Sequence, residues 1–194
     1  MITPTGWLNP TRVIGLSAYL FALISCGIAW AGSRGTSRRR LAAVLAVLDA
    51  GLLMDMAFSV RFLLHDSFEN EAIAKGLYAC RAGPQLAALG LLGAAAAAVI
   101  GLAFQRLRGR TGATAAACGA ILSVSCWCIE VISLHATDTV FYSTVGGVML
   151  ISLCWVACAL MTGIGILWDA SAARALTRHG ANSAATPALP LRDS

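Results

Sequence analysis

The residues able to do chemistry in this 194-residue sequence gather near the ends of two apolar blocks. One block carries Asp49 and Asp55 and runs into Arg61, His65 and Asp66; the other carries Glu130 and runs into His135, Asp138 and Tyr142. Both endings read acid, Leu-His pair, acid (Leu64-His65 and Leu134-His135), an echo too short to mark a duplication. Tyr78, Arg81 and Gln85 lie just before a third block that begins on the same side. Carboxylate oxygens with imidazole nitrogens suit a divalent metal such as zinc, manganese or iron. The expected ligands are His65, Asp66, Glu130, His135 and Asp138. Asp49, Asp55, Arg61, Tyr78, Arg81, Gln85 and Tyr142 are expected to surround them as a polar network, with Arg61 and Arg81 as counter-charges. Acids beside imidazole also suit a proton relay. The plainer reading is an ion-paired network that fixes helix register and binds nothing.

The elements that must position these residues are membrane spans. The chain is 58% hydrophobic and only 12% charged, against about 25% charge in a soluble domain, and its mean hydropathy is +0.77. That composition excludes a disordered chain and most water-soluble globules. A span needs about 20 mostly apolar residues to cross about 30 Å of hydrocarbon. Five stretches qualify: 13–32, 41–60, 86–104, 113–134 and 145–168. They lack the alternation of a membrane β-barrel, so the expected fold is all-α, a polytopic integral membrane bundle of five transmembrane helices. Residues 1–170 form the bundle, and 171–194 a cytoplasmic tail that is helical to about Arg178 and flexible from Gly180. The 62–84 connection is the longest and is expected to fold as a short interfacial helix over the external mouth.

Arginine sets the direction. Ten of the fourteen Lys and Arg lie between spans one and two, between spans three and four, or in the tail. The other side holds Arg12, Arg61, Lys75 and Arg81. The N-terminus is therefore expected outside and the C-terminus inside, as an odd span count requires. Ala29-Trp30-Ala31 resembles a signal-peptidase site, but cleavage there would strand Arg34 and Arg38 to Arg40 outside, so the first span is read as retained. The net charge of +5 belongs to the inner lipid surface, where each basic residue gains about 1 kcal/mol, and calls for no nucleic acid. Thirteen Arg to one Lys, with abundant Ala and Gly, suggests a GC-rich bacterial genome and hence the inner membrane.

Energetics make the acids purposeful. Asp49 and Asp55 together cost about 5–7 kcal/mol on insertion scales, and the nine Leu, Val and Phe of that span return about 3–5. The second span therefore needs a partner, a water-filled pocket or a proton. By rise per residue, Asp49 lies about 12 Å above the inner end and Asp55 about 9 Å higher. In an unbroken helix Asp55 and His65 would point about 80° apart, and His135 could meet Asp138 if the fourth helix continued past Leu134.

Of the seven Cys, six lie inside spans and Cys80 in an external loop, which argues for packing residues over disulfides. The sharper alternative is a soft-metal site at Cys126, Cys154 and Cys158. Gly93, Ala97 and Gly101, with Ala159 and Gly163, form small-residue ridges suited to internal helix packing or to a homodimer face. No phosphate loop, dinucleotide fingerprint or Cys-x-x-Cys is present. The function expected is that of a non-enzymatic membrane protein whose external pocket binds a metal ion, a proton or a small polar ligand in transport, sensing or complex assembly. The alternatives are a membrane-embedded enzyme using Glu130 or Asp55 as base with His135 or His65 alongside, and a structural subunit whose polar cluster meets a partner membrane protein.

Overall fold

The computed structural model describes residues 10–33, 36–133 and 135–184, with side chains described except at 135, 136 and 177–184. In chain order the elements are α1 (Pro10–Gly32), α2 (Thr36–Phe58), α3 (Val60–Ala74), a 3-10 turn (Tyr78–Cys80), α4 (Ala82–Arg106), α5 (Thr111–Ile132), α6 (His135–Phe141), β1 (Thr144–Val145), β2 (Val148–Met149) and α7 (Leu150–Ala184). Helices α1, α2, α4, α5 and the Leu150–Leu176 part of α7 are long and apolar enough to cross a membrane. The all-helical class and five candidate spans are therefore as the sequence implied.

Element boundaries differ where local chemistry decides them. Residue 59 does not continue the second span: Ser59 adopts φ 59, ψ 37 in the left-handed region, and α3 starts afresh at Val60. Ser133 does the same at the end of α5, with φ 47. An L-residue in that region ends a helix, because its carbonyl no longer points along the axis. The fifth span begins at Leu150 and not at 145, because Gly146 and Gly147, both at positive φ, close a two-residue hairpin pairing Thr144 with Met149 and Val145 with Val148. At its far end α7 continues through the Ala-rich segment after Trp168 as far as Ala184, consistent with alanine's helix propensity. The rest of the expected flexible tail, 185–194, lies outside the described residues.

Helix α7 packs on both α1 and α5, and α2 packs on α1. Two clusters make the core. At the end bearing α3, Tyr19, Leu52, Met56, Ile151 and Trp155 interlock. At the opposite, arginine-rich end the core is mostly small: Cys26, Ala29, Ala42, Ala116, Ala120 and Ala170 with Leu45 and Ile166. Small residues let α5 and α7 touch backbone to backbone. A Cβ on Gly112 would sit 2.6 Å from Gly165 O, and one on Gly165 would sit 2.7 Å from Ala116 N. In lipid such close approach is the main source of helix association.

The ridge expected on the third span is not used this way. Helix α4 has no buried residue, and nothing lies within 4 Å of a Cβ built on Gly93 or Gly101. Internal packing falls instead to α5, whose Gly112 and Gly119 face Gly165 and Thr162 of α7. Gly163 does pack inside the bundle, against Phe21 and Ser25 of α1.

Candidate functional site

Asp55 and Glu130 turn inward and meet on Arg61. One guanidinium nitrogen, Nη1, lies 3.3 Å from Asp55 Oδ2 and 3.3 Å from Glu130 Oε2. All three residues are buried, at 5%, 5% and 7% exposure for Asp55, Glu130 and Arg61. The break at Ser59 makes this possible, since it returns the chain over the end of α2 and brings Arg61 back to Asp55. The Arg61 backbone N–H donates to Asp55 Oδ1 at 2.7 Å, so Asp55 caps α3 in place of Ser59, whose side chain makes no cap bond. The guanidinium carbon stands 4.7 Å from the Trp155 ring centroid, within cation–π range. Arg12 of α1 closes the far side by donating to the Met56 and Ala57 carbonyls in the last turn of α2.

Beside this triad is a cavity of about 200 Å³, lined by Arg12, Arg61, Phe62, Glu130, Tyr142 and Trp155 among others. Glu130 Oε1 and Arg61 Nε are buried there without a hydrogen-bond partner. Asp55 Oδ2 makes its ionic contact without hydrogen-bond alignment. Tyr142, just outside the spans, has its phenol pushed up to about 12 by burial, with Glu130 and Asp138 adding to the effect.

Of the five expected metal ligands, the four with described side chains lie in separate groups. Glu130 is held by Arg61. Asp138 accepts from the Ser133 hydroxyl across the α5–α6 break. His135 opens α6, but its side chain lies outside the described residues, so the His135–Asp138 pairing is not among the contacts described. His65 and Asp66 sit on α3, whose residues 60–74 form the helix expected over the mouth. There they are joined by Glu69: ligating atoms of His65, Asp66 and Glu69 lie within 4.8 Å of one another, the only such trio among the described residues. Glu69 is already engaged. It accepts from the Tyr78 phenol at 2.8 Å, and its carboxylate lies 3.6 Å from Arg81 Nη1 and 3.7 Å from His65 Nε2. A cation binding here would share the Glu69 carboxylate with that guanidinium. Asp55 and His65 are not two positions of one helix, because α2 ends before Arg61.

His65 Nδ1 and Gln85 Nε2 serve the end of α5. His65 lies 3.3 Å from Val131 O, and Gln85 donates to Ile132 O and Ser133 O at 3.0 and 3.1 Å, satisfying carbonyls that the helix leaves open. Deeper in the bundle Asp49 is fully buried, accepts from Cys26 Sγ at 3.7 Å and keeps Oδ1 unpartnered. All seven cysteines are free, and Cys126, Cys154 and Cys158 do not form a three-sulfur group of ligand geometry among the described residues.

Sequence reasoning passed over two residues. Glu69 lies four residues after His65, the helical spacing for a contact. Asp169 is clamped at the arginine-rich end, where Arg110 Nε and Nη2 reach Oδ1 and Oδ2 at 3.1 and 2.6 Å and Arg38 Nε reaches Oδ2 at 3.2 Å. Its signal was its position, the only acid among ten arginines before the tail's last residues. No protein-family model, curated protein or solved structure matches this chain, and its own geometry carries the functional reading.

Proposed function

We propose that this is a multi-pass protein of the bacterial inner membrane, N-terminus outside and C-terminus inside, that takes up and releases a proton at the Asp55–Arg61–Glu130 triad on its outer face. One observation carries the reading: two buried carboxylates share a single guanidinium, and Glu130 Oε1, on the cavity wall beside the Trp155 indole, accepts no hydrogen bond of good geometry. A buried ionic group with an unmet partner costs several kcal/mol. A proton on one carboxyl cancels the negative charge that a single guanidinium leaves uncompensated, and the cavity gives it a way in and out. Arg12, on the same cavity, is bonded to carbonyl oxygens. The metal alternative is weaker, because the expected ligands divide between Arg61, Ser133 and α3.

The test uses the full chain in lipid vesicles and dicyclohexylcarbodiimide, which couples to protonated carboxyls in apolar surroundings. Labelling mapped by mass spectrometry is expected at Glu130, falling as pH rises, and absent in Glu130→Gln. A triad that takes no label at any pH overturns the proposal. A second reading, a structural pin with no exchangeable proton, is favoured by the mirror arrangement at Asp169. It predicts a triad without label and a Glu130→Gln variant whose only change is in unfolding temperature.

A further inference from the structure

Away from the triad, α3, the 3-10 turn, the start of α4 and the end of α5 enclose a cavity of about 420 Å³. That is within the ~300–1,000 Å³ range of small-molecule sites. Its walls are mainly apolar, from Phe68, Leu77, Ala88 and Ile132, and of its polar lining groups His65, Tyr78 and Arg81 meet at Glu69 while Gln85 is bonded to the end of α5. The geometry points to a binding site for an amphipathic membrane molecule with an uncharged, hydrogen-bonding head such as a hydroxyl or carbonyl. This inference stands independently of the proton reading, because it shares no residue with the triad.

Three observations carry it. First, the one acid on the cavity wall is already partnered: Glu69 is met by Arg81 at 3.6 Å, by His65 Nε2 at 3.7 Å and by the Tyr78 phenol at 2.8 Å. An anionic head would be set against Glu69 and a cationic head against Arg81, each breaking a pair already made, whereas a neutral head meets neither penalty. Second, donors remain on that side. Arg81 has five N–H groups, and among the described residues Glu69 is the only acid within ion-pair distance of it. Its guanidinium stacks 3.8 Å over the Tyr78 ring, a contact that restricts the side chain before a ligand arrives. Third, the cavity adjoins α4, which buries none of its residues and exposes Leu86 and Leu91 at 64% and 73%. An apolar tail can therefore enter from the hydrocarbon side while the head stays at the polar edge.

The experiment uses the purified full chain in vesicles with three photoactivatable diazirine probes of equal chain length, an alcohol, a carboxylic acid and an amine. Crosslinks are mapped by mass spectrometry. The alcohol is expected to label α3 and the start of α4 preferentially, and Ala88→Trp, which fills the cavity, to reduce that labelling roughly tenfold, a loss of about 1.4 kcal/mol. Ala97→Trp, exposed farther along α4, keeps it and controls for folding. Labelling by the acid or the amine equal to that by the alcohol overturns the neutral head. Alcohol crosslinks spread evenly over the apolar helices and indifferent to Ala88→Trp overturn the site.

Discussion

Arg61 is the residue on which two acids depend, and its removal shows the difference between breaking a buried ion pair and replacing one. Arg61→Met leaves Asp55 and Glu130 facing each other without a cation and Asp55 with only the α3 backbone N–H. The expected cost is about 3–5 kcal/mol, read as a lowered unfolding temperature in detergent. The triple variant Asp55→Asn/Arg61→Met/Glu130→Gln removes the charges together and is expected to recover most of that loss. Equal destabilisation by the single and triple variants would mean that the charges are not coupled. This pairing was partly legible in the sequence. The cost of acids in a span demands a partner, and Arg61 was the nearest cation. Its route to Glu130 was not legible, because it depends on Ser59 taking a left-handed conformation, which serine seldom adopts and no residue type announces. Where Asp138 goes was hidden for a related reason: the break at Ser133 turns it back to the Ser133 hydroxyl.

Elements obey the same distinction between what patterning shows and what contact decides. Hydropathy located all five long helices, since about 20 apolar residues in a row leave few alternatives. It could not rank them by burial, because every face of a span is apolar. Small-residue spacing pointed equally to α4 and α7, yet the backbone contact is between α5 and α7. Gly165→Ala should therefore push those helices apart, its Cβ lying 2.7 Å from Ala116 N and Gly112 O, and cost about 1–3 kcal/mol. Gly93→Ala meets nothing within 4 Å and should leave the unfolding temperature unchanged or raise it, since alanine favours the helix. Thermal unfolding of the two variants in one detergent compares them directly, and the reverse order would overturn the packing described for α4.

At the scale of the molecule the bundle carries opposite charge arrangements at its ends. An arginine lies between two acids near α3, and an acid lies between two arginines where α2, α5 and α7 meet. Each fastens helices distant in sequence, so each stabilises the bundle whichever way it inserts. The proposed orientation rests on the charges beyond the clamps. Arg39, Arg40, Arg106 and Arg108 lie at the Asp169 end, where contact with anionic lipid is worth about 1 kcal/mol apiece, and the α3 end has no comparable run. That asymmetry is what supports the proposal that the α3 end faces outward. Cys80 reports on it, being exposed in the 3-10 turn beside α4 while the other six cysteines lie within apolar helices. A membrane-impermeant maleimide added to intact spheroplasts is expected to label the chain once, at Cys80, and to fail on Cys80→Ser. Labelling that appears only after permeabilisation would place α3 and the proposed proton site on the cytoplasmic side, reversing the direction from which that proton arrives.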